Sequence, residues 1–365
     1  MVGVYGDATS LAARKRRAGQ RLLIGWRGQE VTDDLRRVVA QIRPAGFLWF
    51  GHNVIEPAQV LELNRELTSL VDPHDPALLA VDQEGGRVQR IGAPATEWPD
   101  MRIVGEVGDR TGAVAAALAL ELRAMGLNLN LAPVADLASH PDNPIIGARA
   151  FGAEPGEVAR HVATFVEAHQ REHVIACVKH FPGHGDTAED SHQTLPTVAC
   201  SEAELRAQLV PFEAAIAAGV GAVMTAHVTF PAIDPGLPAT LSERVLPRLL
   251  RDELGYDGVI VSDDLEMVAI AERWSPQEQV IRATRASVDL LVAGSDPEVQ
   301  IALFEALVHA QEHDQGMDRA SEVSTDRIEA LRERFFLSCP PRPPLEVVGQ
   351  ADHRALASEL WERVR

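Results

Sequence analysis

The sequence predicts an α/β chain closed as a (β/α)8 barrel of TIM type, and three observations carry that prediction. Short apolar runs bounded by Gly, Pro or Asn alternate with longer segments of helical period. Eight such runs are present, as near-continuous as buried parallel strands require. Polar residues collect at the C-terminal ends of five of them, the face on which barrels of this class build their sites. An open, doubly wound sheet is the competing architecture, because alternation alone does not prove closure.

In chain order the predicted strands are RLLIGWRG (21–28), GFLWFG (46–51), ALLAVDQEGG (77–86), LNLNLAPVADL (127–137), VIACVKHFPG (174–183), GAVMTAHVTFP (221–231), GVIVSDDLEM (258–267) and SVDLLVAGS (287–295). Helices are predicted between them over 31–42, 111–126, 201–219 and 241–255, where apolar residues recur at helical spacing. Ser201 followed three residues later by Glu204 is a capping-box signature for the third of these. The reading divides the chain into an N-terminal extension (1–20), the barrel (21–338), and a proline-rich linker with a C-terminal helix (339–365). The polar strand ends are Asp82, Gln83 and Glu84, then Asp136, then Lys179 and His180, then His227, then Asp263 and Asp264.

Composition narrows the function. At 46% hydrophobic and 24% charged residues the chain is ordinary globular protein. A net charge of −19 repels nucleic acid and anionic lipid, so neither is expected as a partner. No apolar run approaches the roughly 20 residues needed to cross a bilayer. The basic cluster near the N-terminus has no apolar stretch behind it and does not read as a secretory signal. Three scattered cysteines, Cys177, Cys200 and Cys339, argue against a disulfide framework and fit a cytoplasmic location. Aromatic residues are scarce at 5% and the tryptophans are spread out, which argues against a long groove of stacking platforms.

The stretch CVKHFPGHGDTAEDSH (177–192) is the densest in chemistry. His180, His184 and His192 with Asp186 or Asp190 are suitable metal ligands, but Pro182 and the glycines preclude a helical register. A Ser-His-Asp triad would need Ser191 and its immediate neighbour His192 to fold back on each other, and no G-x-S-x-G elbow is present. Asp190 and His192 are two residues apart, so on an extended loop their side chains share a side; the carboxylate would then orient the imidazole as a general acid/base. A loop whose polar groups only hold its own backbone is the bland alternative. Lys179 is also a candidate Schiff-base lysine of the kind barrels carry.

KHFPGHG, followed by DSH and Pro196, resembles the signature of glycoside hydrolase family 3, in its β-N-acetylhexosaminidase branch. DQEGGRVQR (82–90), NLAPVADL (130–137), NPIIGARAF (143–151), MTAHVTFP (224–231), PATLS (238–242) and LGYDGVIVSDDLEM (254–267) resemble the family's strand-end motifs in the family's order. The resemblance implies a barrel that allows an irregular early strand, and removal of N-acetylglucosamine from cell-wall fragments, as in peptidoglycan turnover and cell-wall recycling. It implies a nucleophile at Asp263, an acid/base at His192 with Asp190 as its partner, and sugar contacts at Asp82, Arg90, Arg149, Lys179 and His180. It implies no metal and no cofactor, and a small carbohydrate as the binding partner.

These residue types suit glycoside cleavage. A carboxylate beneath the anomeric carbon stabilises an oxocarbenium-like transition state and can bond to it. Asp264 is the rival to Asp263, and strand alternation sends only one of the two inward. Most retaining glycosidases use a second carboxylic acid as proton donor; here the resemblance gives that role to an imidazole, and Glu84 with Asp263 is the carboxylate pair a general reading would choose. Gly85 and Gly86 permit the tight turn between Asp82 and Arg90. Ala148 stands where many relatives carry an acid, which leaves Arg149 without an evident orienting partner. The open functional readings are a retaining exo-β-N-acetylglucosaminidase, a phosphorylase using the same site, a metal-dependent barrel hydrolase, and a sugar-binding protein without turnover.

Overall fold

A computed structural model describes residues 9–140, 143–185 and 195–363. Among the described residues there are twelve strands and twelve α-helices, and the eight barrel strands are separated by helices or helical turns broadly as the sequence predicts. The strands are β1 (Leu22–Ile24), β2 (Gly46–Trp49), β3 (Leu78–Val81), β4 (Gln83–Gly85), β5 (Val88–Gln89), β6 (Leu129–Asn130), β7 (Ile175–Phe181), β8 (Ala222–Thr225), β9 (Thr229–Phe230), β10 (Asp234–Pro238), β11 (Val259–Val261) and β12 (Leu291–Ala293). The helices are α1 (Leu11–Gly19), α2 (Asp33–Ile42), α3 (Pro57–Ser69), α4 (Met101–Val107), α5 (Thr111–Ala124), α6 (Pro155–Arg171), α7 (Glu202–Ala217), α8 (Val268–Ala271), α9 (Pro276–Arg285), α10 (Pro297–His313), α11 (Gln315–Phe336) and α12 (Ala351–Glu362).

Eight strands form one parallel sheet in the order β11-β8-β7-β6-β3-β2-β1-β12. Its two edges meet at a parallel bridge between Val261 and Leu290, which all but closes the barrel and decides against an open sheet. Each of the eight falls inside one of the predicted apolar runs. β1, β2 and β3 pair in parallel register, so no early strand is reversed. The irregular strand is β6, which pairs over only two residues, Leu129 and Asn130. The predicted capping box at Ser201 and Glu204 starts α7. The helix predicted over 241–255 is instead a π-helix, Leu246–Glu253.

Period-two alternation sorts each strand between two apolar layers. Leu23, Leu48, Leu78, Ala80, Ile175, Cys177, Ala222, Met224, Val259 and Val261 pack inside the barrel, and Ile328, Leu331 and Phe335 of α11 join them. Leu22, Ile24, Phe47, Trp49, Leu79, Val81, Val178 and Ile260 face the helices instead. Fully burying one such side chain contributes about 1.5–3 kcal/mol. Continued upward, the inward parity of 78 and 80, of 175 and 177, and of 259 and 261 falls on Asp82, Lys179 and Asp263.

The segments flanking the barrel are seated on it. Arg14 and Arg17 of α1 bind Asp318 of α11. On α12, Ala357 and Leu360 are buried, and His353 lies 2.7 Å from Glu121 of α5. Among the described residues, no helix is long and apolar enough to cross a membrane.

Candidate active site

The C-terminal ends of the barrel strands enclose a cavity of about 360 Å3. Asp82, Arg90, Arg149, Lys179, His180 and Asp263 all line it, so six of the eight predicted site residues share one wall system. The other two, Asp190 and His192, lie outside the described residues, as do Asp186 and Ser191.

The DQEGGRVQR motif folds as the antiparallel hairpin β4–β5. Gly85 and Gly86 turn it at positive φ, +112° and +56°, and a Cβ on Gly86 would lie 1.9 Å from Asp100 Oδ1. The hairpin returns Arg90 to Asp82, with Nη2 donating to Oδ2 at 3.3 Å. Lys179 Nζ reaches Asp82 Oδ1 and Glu84 Oε1, both at 2.6 Å. Burial alone would lower the Lys179 pKa, but the two carboxylates outweigh it and raise it. A lysine held charged in this way is a poor Schiff-base nucleophile, which removes that reading.

Glu84 is the residue the sequence underweights. It is 1% exposed and accepts a two-pronged bond from Arg149, Nε to Oε2 and Nη2 to Oε1, each 2.8 Å. Burial works to raise its pKa, and Arg149 and Lys179 bring it down to about 2. Arg149 therefore has an orienting partner despite Ala148, supplied from 65 residues away. Paired in this way, Glu84 stays ionised and is not a proton donor to the leaving group. A third Arg149 bond, Nη1 to the Ile145 carbonyl at 3.1 Å, leaves two of the guanidinium's five N–H donors for a ligand.

Asp136, 1% exposed, organises the next wall. It lies 2.7 Å from His180 Nδ1 and accepts from the backbone N–H of His184 at 2.7 Å. Burial and the neighbouring His180 push the His184 pKa down to about 4, so that ring is neutral. Among the described residues, no group of three or more His, Cys, Asp or Glu side chains is placed to hold a metal ion.

The Ser-Asp-Asp segment after β11 is pinned to β12. Ser262 Oγ accepts from Val292 N at 2.9 Å, and Asp264 Oδ1 accepts from Gly294 N and Glu266 N at 3.0 Å each. Glu266 in turn caps the N–H groups of Ser295 and Asp296. Among the described residues Asp263 has one such contact, Asp264 N donating to Oδ1 at 2.8 Å. Both aspartates border the cavity, contrary to the alternation argument. The physical reason is that β11 ends at Val261, before either of them.

Their environments separate the two. Burial works to raise the Asp263 pKa, but His227, His180, the Asp264 N–H and Lys179 hold it below the usual range. Asp264 is raised to about 7, chiefly by burial, with Glu266 and Asp263 adding to it. Of these two neighbours, Asp263 is the one held fully ionised at neutral pH, and it borders the cavity.

The profile of the glycosyl hydrolase family 3 N terminal domain matches residues 15–328. The chain belongs to glycosyl hydrolase family 3. The β-hexosaminidase A of Pseudoalteromonas piscicida is 36% identical over 356 residues, which is 90% of this chain and 60% of that one. A family 3 β-N-acetylglucosaminidase from Paenibacillus sp. str. FPU-7 superposes with a TM-score of 0.89 at 39% identity, covering 96% of this chain and 68% of its own. The NagZ of Neisseria gonorrhoeae, solved with N-trifluoroacetyl-D-glucosamine, gives a TM-score of 0.71 at 28% identity over 84% of this chain and 97% of its own. This family 3 chain sits with the β-N-acetylhexosaminidases, which are glycoside hydrolases.

Proposed function

We propose that the protein is a retaining exo-β-N-acetylglucosaminidase acting on muropeptide or chitooligosaccharide ends in the cytoplasm. The observation that carries this reading is Asp263, an ionised carboxylate with no ion-pair partner among the described residues, facing a walled cavity. Asp263 attacks the anomeric carbon to form a glycosyl–aspartate, while the leaving oxygen takes a proton from His192. Water then attacks the same carbon, breaking its bond to Asp263 and releasing the carboxylate, and gives its proton to His192; Asp190 holds the imidazole through both steps.

Asp82, Arg90, Arg149, Lys179 and His180 supply charge-assisted contacts for the sugar hydroxyls. Lys179 has one ammonium hydrogen beyond the two its carboxylates take. The cavity supports exo action: about 360 Å3 lies at the small end of ligand pockets, roughly 300–1,000 Å3. Phe50 is the one benzenoid ring among its lining residues. Trp26, Trp49 and Trp98 are in the core.

Release of nitrophenol from nitrophenyl N-acetyl-β-glucosaminide tests the reading. Wild type is expected to turn over unaffected by EDTA, and Asp263→Asn to lose roughly 10^3-fold or more. A slow fluorinated sugar should label Asp263. A label on another side chain overturns the assignment. Inhibition by chelator and rescue by zinc would favour a metal-dependent hydrolase instead.

A further inference from the structure

Two motifs, MTAHVTFP (224–231) and PATLS (238–242), supply none of the groups proposed to touch the sugar. The end of the first motif and the residues leading into the second form the β9–β10 hairpin, which folds the second motif back over the first. His227 Nδ1 then lies 2.8 Å from Thr240 Oγ1. On its other side, His227 Nε2 lies 3.0 Å from the backbone carbonyl of Asp264. A carbonyl only accepts, so Nε2 carries hydrogen. His227 is fully buried, at 0% exposure, and does not line the cavity.

The contact matters because of what residue 264 already does. Its N–H holds Asp263 Oδ1, and its carboxylate is tied to Gly294 N and Glu266 N. Its carbonyl also accepts from Met267 N at 3.1 Å. His227 is the one side chain from another barrel strand end that grips this peptide among the described contacts. Thr240 is itself anchored, 2.8 Å from Thr225 Oγ1 and 3.1 Å from the Ala226 carbonyl. The path runs from β8 through an imidazole to the backbone that sets the carboxylate.

We propose that His227 is a positioning residue for the nucleophile, fixing the Asp263 carboxylate through the Asp264 backbone, with Thr240 setting the orientation of the imidazole. The proposal rests on Asp263 being the nucleophile. Among the groups that favour its charged form, His227 is foremost. The others are His180 and Lys179 on β7 and the N–H of Asp264; the acidic groups of the same region are Asp82, Glu266 and Asp264, the last held protonated up to about pH 7. A histidine that only filled space would touch neither the carboxylate's alignment nor its ionisation.

The test compares His227→Ala, His227→Gln and Thr240→Val on a nitrophenyl N-acetyl-β-glucosaminide across pH. In His227→Ala, kcat is expected to fall about 10- to 100-fold, the loss that small misplacement of a reacting group causes. KM should change far less, and the acid limb of kcat/KM should move to higher pH. His227→Gln keeps an N–H near the Nε2 position and should recover most of kcat while leaving the limb displaced. Thr240→Val should lower kcat in the same direction by a smaller factor, and it carries the test if His227→Ala does not fold. A folded His227→Ala, or failing that Thr240→Val, with unchanged kcat and acid limb overturns the proposal. Labelling by a slow fluorinated sugar keeps the two ideas apart. A wild-type label away from Asp263 sinks the nucleophile assignment, whereas a label on Asp263 formed at an unchanged rate in His227→Ala sinks only the positioning role.

Discussion

The barrel carries a charge network at each end, and each borders a cavity, the upper one through Asp82, Arg90, Arg149 and Lys179 and the lower one through Arg327. At the C-terminal end, Glu84 and Asp82 hold Lys179, Arg149 and Arg90. At the N-terminal end, Asp289 takes Arg251 at 2.6 Å, Arg327 at 3.3 Å and the Ile260 N–H at 2.8 Å. Arg21 beside it donates to the Asp289 and Val288 carbonyls and to Ser321 Oγ. Burial pushes Arg21 down to about 10, and Asp289 restores part of that. Both networks are desolvated and salt-bridged, so neither property marks a site. The difference is Asp263: the upper network adjoins a carboxylate with no ion-pair partner among the described residues, while Asp289 is answered on both oxygens.

Asp289→Asn should produce the largest effect of this comparison, and it should fall on stability alone. Breaking a fully buried pair while leaving its partners charged costs about 3–5 kcal/mol. Chemical denaturation should read that loss, while kcat/KM per folded molecule stays within about twofold, because the residue lies at the face that serves stability in barrels. A large drop in kcat/KM with unchanged stability would erase the distinction between the two ends.

Glu84→Gln is the matching change above. It leaves Lys179 and Arg149 without their shared anion, and both line the cavity. A loss of roughly 10^2–10^3-fold in kcat/KM is expected, the scale of one misplaced preorganised donor. Full activity in this variant would show that the upper network, too, is only structural.

Acid titration sharpens the contrast at smaller cost. Glu84 titrates near 2 in the folded protein against an ordinary value of 4.5. The native state binds fewer protons between those values than the unfolded state, so Glu84 stabilises above about pH 4.5 and its contribution fades as pH falls toward 2. The acid arm of a stability profile should be shallower in Glu84→Gln than in wild type. Equal slopes would contradict the assignment of that depressed value to Glu84.

The barrel was legible because its strands are apolar on both faces and its turns are marked by Gly, Pro and Asn. Asp82, Lys179 and Asp263 were legible for the same reason, as polar ends of apolar runs. Glu84 was harder to read, since its role depends on Arg149 and Lys179, 65 and 95 positions away (149 − 84 and 179 − 84), and nothing local signals that meeting. His227 and Thr240 met only through the β9–β10 hairpin. The π-helix at Leu246–Glu253 was hidden because it shares an apolar stripe with an ordinary helix. Asp190 and His192 lie outside the described residues.

The smallest expected effect separates the two neighbouring aspartates. Asp264, held near 7 chiefly by burial, keeps its proton in the folded state where the unfolded chain has lost it. Folding is therefore opposed increasingly as pH rises from 3.8 toward 7, the reverse of Glu84. Asparagine copies the neutral form and retains an oxygen for Gly294 N and Glu266 N. In urea denaturation Asp264→Asn should gain on wild type as pH rises from 5 to 7 and gain little more by pH 8, since only the wild type carries the titrating group. Its kcat/KM should fall by less than about tenfold, against the far larger loss in Asp263→Asn. If the two substitutions abolish turnover equally, the carboxylate beneath the sugar is not singled out by ionisation, and the difference between these adjacent residues lies in backbone geometry instead.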